Sequence, residues 1–308
     1  MALERSSTLV YGDSGTGKTT LGLSLVRYVH REFGKKVRMV LGDFQEGETL
    51  APFLRSGLVE ALDISQYPHC FDLLSFLAMG HWPEPSGLKD WPTKDPKAIQ
   101  SLKPSTPETW KQVGGYIFDS LTGYCSLYMR NMEHRAARGE KLGQDPPITI
   151  KDGTVNVGGN SMAHYGFAQR RILDFVEKAK CLPCHRLFTA LETKAEDKTV
   201  AGKAYVIGPE MAGKAMTPTI PKAFGNVFNL VHEPVKDKRE RRLYLNTWFD
   251  GLDITPRLGK CSLPALVYAG DPAYLVIPQP IPKDGHWGLG AYLELLEKMQ
   301  KQAEELGV

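Results

Sequence analysis

Gly12-Asp13-Ser14-Gly15-Thr16-Gly17-Lys18-Thr19 decides how the rest of the chain is read. It stands between a short apolar run, Thr8-Leu9-Val10-Tyr11, and a segment with Leu21, Leu25 and Val29 at helical spacing. A strand, a glycine-rich turn and a helix in that order make a cradle for phosphate. Gly12, Gly15 and Gly17 let the backbone curl with its N–H groups inward. The following helix adds the positive end of its dipole. Lys18 is then expected to reach the β- and γ-phosphates of a nucleoside triphosphate, and the Thr19 hydroxyl to ligate Mg²⁺. The expected nucleotide set is Gly12, Asp13, Ser14, Gly15, Thr16, Gly17, Lys18, Thr19 and Thr20, with ATP and Mg²⁺ as cofactors.

Working outward, the first helix runs from Lys18 to about Phe33 and stops at Gly34. Val37–Leu41 reads as a second strand leading to Asp43, Val59–Ile64 as a third, and His69–Met79 as a helix. Such alternation predicts a parallel sheet with crossover helices. Residues 81–110 interrupt it. They hold six prolines and three of the five tryptophans, and read as an inserted surface loop pinned by its indoles. Gly115–Asp119 is an apolar strand ending in a carboxylate, followed by a helix from Leu121 to Arg138. Residues 139–162 are rich in Gly, Asp and Pro. Ala163–Lys180 reads as a helix and Arg186–Leu191 as a strand.

The last third changes character. Val227–Val235 and Arg242–Phe249 predict a β-hairpin around the charged turn 236–241, and Ala265–Tyr268 a further strand. Leu289–Glu305 is an amphipathic helix whose apolar face is expected in the core. The expected division is a domain over 1–270, with 81–110 inserted, and an extension over 271–308.

The totals fit a globular protein. The chain has 308 residues, of which 42% are hydrophobic and 24% charged, and a net charge of +3. No apolar run approaches the ~20 residues of a membrane span. Met1–Arg5 lacks a signal-peptide layout, and five scattered cysteines point to reduced thiols, so a cytoplasmic setting without membrane contact is expected. Cys181-Leu182-Pro183-Cys184-His185 spells a haem-attachment pattern and half a zinc site. With no second Cys pair to complete a zinc site, it reads as helix-end packing.

Asp119 is the natural second half of the site, able to hold the Mg²⁺ shell opposite Thr19. Hydrolysis also needs a group to orient or deprotonate water. Asp43, Gln45, Glu46 and Glu192 follow strands that end on the same sheet edge. Glu46 is the favoured water residue, though it reads equally as a solvated loop acid, and Glu192 the favoured γ-phosphate sensor. Basic residues gather at Arg135, Arg138 and Lys141, at Arg170-Arg171, and at Lys236, Lys238, Arg239, Arg241 and Arg242. Charged turns are usually solvated, but beside loops they can track a phosphate backbone.

The element order resembles the RecA-type ATPase core over about residues 7–270. The phosphate loop, Leu62-Asp63-Ile64-Ser65-Gln66-Tyr67-Pro68, Ile117-Phe118-Asp119-Ser120 and Leu187-Phe188-Thr189-Ala190-Leu191-Glu192 carry the likeness. Gly208–Lys214 and Ile220–Phe224 narrow it to small RecA-like ATPases of bacteriophages, which include single-strand-annealing recombination proteins. Leu191 stands where those proteins usually have His. The resemblance implies an α/β fold with a RecA-like P-loop core, a mostly parallel sheet flanked by helices, and a C-terminal hairpin. It implies ATP hydrolysis, single-stranded DNA as a partner, phage recombination or replication proteins nearby, and a filament or ring of identical subunits. Arg138, Lys141, Arg170, Arg171, Arg239, Arg241 and Arg242 are the expected DNA contacts. Lys260, in Lys260-Cys261-Ser262-Leu263-Pro264, resembles a lysine that reaches the neighbour's ATP in that family, and Leu258 stands where a second lysine is usual. Arg257 is the candidate substitute. A weakly hydrolysing ATP switch or scaffold, and a P-loop small-molecule kinase, remain competing readings.

Overall fold

Residues 7–12 are buried almost throughout because each of them lies between two parallel neighbours or at their edge. In the computed structural model, β1 (Ser7–Gly12) pairs with β5 (His185–Asp197) on one side and β7 (Asn226–Val235) on the other. The structure describes residues 5–42, 51–66, 70–84, 96–137, 150–151, 154–155, 162–197, 204–235, 238–250, 253–262, 273–282 and 284–305. β2 (Lys36–Leu41), β3 (Val59–Asp63) and β4 (Val113–Asp119) complete a parallel block in the order β3-β2-β4-β5-β1-β7. Strands covered on both faces read as near-continuous apolar runs, which is how these segments read in the sequence.

The edge beyond β7 is antiparallel. β8 (Lys238–Tyr244) pairs with β7, and β11 (Tyr274–Ile277) with β8. The second half of β5 leaves the block and pairs antiparallel with β6 (Ala204–Pro209). β6 in turn meets β10 (Asp253–Arg257), which pairs with β9 (Trp248–Asp250). The α/β architecture expected from the sequence, with its mostly parallel sheet and C-terminal hairpin, is the one observed.

Helices cover both faces. On one side α1 (Lys18–Phe33) packs on the C-terminal helix α7 (Leu289–Glu305), burying Leu21, Leu25, Val29, Tyr292 and Leu293 together. α2 (Ala51–Arg55) lies before β3. On the other side α3 (Cys70–Ala78), α5 (Leu121–Ala137) and α6 (Met162–Lys180) cover Phe118 and Phe188, which stack at 4.9 Å with Phe175 edge-on to Phe118 at 5.1 Å. Among the described residues, no helix is long and apolar enough to cross a membrane.

Several boundaries differ from the sequence reading. The 186–191 strand continues to Asp197 because its polar second half gains β6 as a partner. The hairpin turn is shorter than 236–241. Val235 already pairs with Lys238, so Lys238–Arg241 are strand residues. The second hairpin strand ends at Tyr244, and Trp248–Asp250 belongs to β9. The described residues of the 81–110 segment form regular structure. It includes α4 (Pro107–Gln112), begun by a Thr106 capping box, and a short pairing of Trp82-Pro83 with Leu102-Lys103. Trp82 and Trp110 both pack on Tyr116 of β4, as pinning indoles would. The described residues of 271–308 join the sheet through β11 and the core through α7. Ala265–Tyr268 lies outside the described residues.

Candidate active site

The phosphate loop leaves β1 at Gly12, where a side chain has no room. A Cβ there would stand 2.2 Å from the Leu230 carbonyl oxygen of β7. Gly17 takes φ 91°, in the left-handed region that glycine tolerates, and serves as the N-cap of α1. Asp13, Ser14 and Gly15 form the exposed tip. The tip is held by Ser14 N–H donating to Asp13 Oδ1 at 2.8 Å and Thr16 Oγ1 donating to the Asp13 carbonyl at 2.9 Å. α1 has no acidic residue in its first turn, so nothing there cancels the positive end of its dipole.

Lys18 is nearly buried and folds over this loop. Its Nζ donates to the carbonyls of Gly12 at 2.9 Å and Asp13 at 2.7 Å. Thr19 and Thr20 are half-buried on the first turn of α1. The Thr19 hydroxyl donates to Asp119 Oδ2 at 2.6 Å. Asp119 closes β4, two strands away from β1, and β5 fills the gap between them. Thr189 sits on that middle strand, one position beyond the Phe118–Phe188 pair, and donates to Asp119 Oδ1. Both carboxylate oxygens of the buried Asp119 are thereby fixed. A hydroxyl has one proton and two lone pairs. With its proton on Asp119, Thr19 Oγ1 keeps lone pairs for a cation. Hard oxygen donors of this kind suit Mg²⁺, so the set fits the expected metal, with Thr19 as ligand and Asp119 behind it.

Glu192 lies immediately past Leu191, the residue opposite Gly12. Its carboxylate accepts from Arg257 Nη1 at 3.0 and 3.1 Å and from Asn229 Nδ2 at 3.2 Å. Trp248 Nε1 donates to Asn229 Oδ1 at 3.2 Å, and the Arg257 guanidinium lies 5.2 Å from the Trp248 ring centroid. The network ties β5, β7, β9 and β10 together beside the loop. Under it, Tyr11 donates to the Leu258 carbonyl at 2.6 Å. Burial, then the Glu192 charge, pushes the Tyr11 hydroxyl well above its ordinary range, so it remains a donor at any working pH.

The other candidates are scattered. Lys260 is exposed and donates to the Phe224 carbonyl at 2.9 Å, while its backbone bridges Val227. Val227 pairs with Leu9, three residues before Gly12. That is about 10 Å from this chain's own loop at 3.3 Å per residue. Arg170 and Arg171 are exposed on α6, with Arg171 over Phe167 at 5.0 Å. Arg239 is exposed on β8. Arg242 is held by Glu233 at 2.6 Å and Glu240 at 3.1 Å and stacks on Tyr274 at 4.4 Å. Arg241 instead turns toward Gly17. Asp43, Gln45, Glu46, Arg138 and Lys141 lie outside the described residues. At the Cys-Leu-Pro-Cys-His segment, Cys181 is exposed after α6, and Cys184 is buried, its thiol pushed up to about 12 by burial. His185 Nδ1 is 3.0 Å from Ser6 Oγ.

The sequence reading missed Thr189, Asn229 and the placement of Arg241. Thr189 had a signal: it is the polar residue in the apolar run Leu187–Leu191, fully buried and beside Asp119. Asn229 depends on the β1–β7 register, which sets it opposite Tyr11, and Arg241 on the β7–β8 register; no local pattern fixes either.

No curated protein matches the chain by sequence. A KaiC-like protein from the hyperthermophilic archaeon Pyrococcus horikoshii is similar at 11% identity and a TM-score of 0.34, over 78% of this chain and 77% of that one. The AAA domain profile matches residues 4–248, which span both the phosphate loop and Asp119. The chain therefore belongs to the AAA domain family of P-loop ATPases.

Proposed function

We propose that this chain binds ATP at residues 12–20, hydrolyses it with Mg²⁺, and couples that cycle to single-stranded DNA in recombination, annealing or replication. The convergence of Lys18, Thr19 and Asp119 on one end of β1 carries the nucleotide half of the reading. Mg²⁺ held at Thr19 would neutralise charge on the β- and γ-phosphates. Lys18 would exchange its two loop carbonyls for phosphate oxygens, and the loop N–H groups with the α1 dipole would hold the rest. Thr189 would keep Asp119 aimed at the metal shell.

The DNA half rests on the resemblance to phage RecA-like proteins and on the exposed cations Arg170, Arg171 and Arg239. Subunits stacked in a filament or ring would let the exposed Lys260, whose Nζ turns to the Phe224 carbonyl and not to its own loop, reach a neighbour's nucleotide. A weakly hydrolysing ATP switch is the second reading. The Glu192–Arg257 pair favours it, because the carboxylate expected to sense the γ-phosphate is already engaged by an arginine within the chain. ATPase assays with and without single-stranded DNA, at low and raised salt, separate the two. A rate raised by DNA and lowered again by salt supports the recombination reading. A slow rate that DNA leaves unchanged at low salt supports the switch.

A further inference from the structure

We infer that Arg241 is a nucleotide-binding residue supplied in cis, touching the α- and β-phosphates on the flank of the loop opposite the metal. The inference rests on the reading of residues 12–20 as an ATP site. β8 runs antiparallel to β7, and Arg241 stands opposite His232, two residues beyond the Leu230 carbonyl that crowds Gly12. Alternate residues of a strand face opposite sides. Leu243 is buried in the cluster formed around α1, so Arg241 faces the α1 side, while Arg242 faces away to Glu233 and Tyr274.

The guanidinium is aimed, not merely near. Its Nη1 lies 2.7 Å, and its Cζ 3.4 Å, from the point a Cβ on Gly17 would occupy. Gly17 immediately precedes Lys18 and caps the helix whose N-terminus receives the phosphates. On the other edge of the fork, the Gln279 amide, with its oxygen turned inward, accepts from Nε at 2.5 Å and Nη2 at 3.0 Å. Gln279 thus fixes the fork and leaves Nη1 toward the loop. A planar guanidinium held this way suits phosphate oxygens in a way an ammonium does not.

The flank identifies which phosphates are met. Thr19 and Asp119 lie on the β5–β4 side of β1, and Arg241 comes from the β7–β8 side. The metal side serves the β- and γ-phosphates, so the opposite flank serves the α- and β-phosphates, which ADP also has. The arginines of the hairpin therefore divide by face: Arg241 serves the nucleotide and Arg242 the hairpin itself.

The test is titration of fluorescent ATP and ADP into full-length wild-type protein, Arg241→Ala, Arg241→Lys, Gln279→Ala and Lys18→Ala, with thermal melts in the absence of nucleotide. Arg241→Ala is expected to weaken ATP and ADP alike, by roughly ten- to hundred-fold. Arg241→Lys and Gln279→Ala should lose less than Arg241→Ala, in the same proportion for both nucleotides. If Arg241→Ala does not fold, these two variants carry the test. Wild-type affinity for both nucleotides in the Arg241 variants overturns the inference, as does a loss confined to ATP or to single-stranded DNA. Wild-type protein that binds neither nucleotide, or Lys18→Ala that binds both normally, overturns the ATP site itself and the Arg241 contact with it. That pattern is distinct from failure of Arg241 alone.

Discussion

The hydroxyl of Thr19 donates to Asp119 Oδ2 at 2.6 Å, joining the start of α1 to the end of β4 across 100 residues of chain. The contact exists because β5 is inserted between β1 and β4, which sets the two strand ends at the separation one hydroxyl and one carboxylate can span. It also orients Thr19, whose proton is committed to Asp119.

Thr189 holds the other oxygen of that carboxylate, so Thr189→Val tests whether the orientation matters. Valine fills the same space without a donor. A buried carboxylate that loses a hydrogen bond costs about 1.5–3 kcal/mol. The expected outcome is a lower denaturant midpoint and a several-fold slower Mg²⁺-dependent hydrolysis, with ATP affinity little changed. A variant with wild-type rates would show that Thr19 alone positions Asp119.

Gly12→Ala probes the start of the loop. Its Cβ would meet the Leu230 carbonyl at 2.2 Å, a backbone atom that cannot swing aside. Overpacking of this kind costs about 1–3 kcal/mol. Chemical denaturation should register that loss, and nucleotide titration a loss of affinity. Unaltered stability would mean that β1 and β7 can part more easily than their pairing implies.

The thiols give a prediction in pH. Burial pushes the Cys125 and Cys184 thiols up to about 12, so both stay protonated through the neutral range, and the thiolate is the reactive form. The direction is upward, so reactivity is suppressed below that range and returns only as pH approaches it. Alkylation of the native protein at pH 8, read by mass spectrometry, should label the exposed Cys181 and spare Cys125 and Cys184. Labelling of Cys184 at the rate of Cys181 would contradict the packing of the β5 start.

Much of this was legible in the sequence because it is local. The phosphate loop needs only the glycines and Lys18-Thr19 in order, and the buried parallel strands announce themselves as apolar runs. Asp119 was legible because it ends such a run. The long-range pairings were not. Glu192 reads as a γ-phosphate sensor at a strand end, and nothing local shows that β10 brings Arg257 against it. Arg241 reads as a turn cation until the β7–β8 register extends the strand and alternation turns it toward Gly17. Helical periodicity found α7, but only the fold puts Tyr292 on Asn226 at 2.6 Å, locking the C-terminal helix to the strand beside the loop.

Mg²⁺-dependent ATP turnover by the wild-type protein, Lys18→Ala and Asp119→Asn tests the central claim most directly. Asp119→Asn keeps the shape of the side chain and removes its charge. The account predicts measurable turnover in the wild type. It predicts a fall of two orders of magnitude or more in both variants, about 2.7 kcal/mol of transition-state stabilisation. Lys18→Ala should also lose nucleotide affinity, and Asp119→Asn should still bind ATP while its response to Mg²⁺ disappears. Turnover in both variants equal to the wild type, with the same Mg²⁺ dependence, would contradict the account.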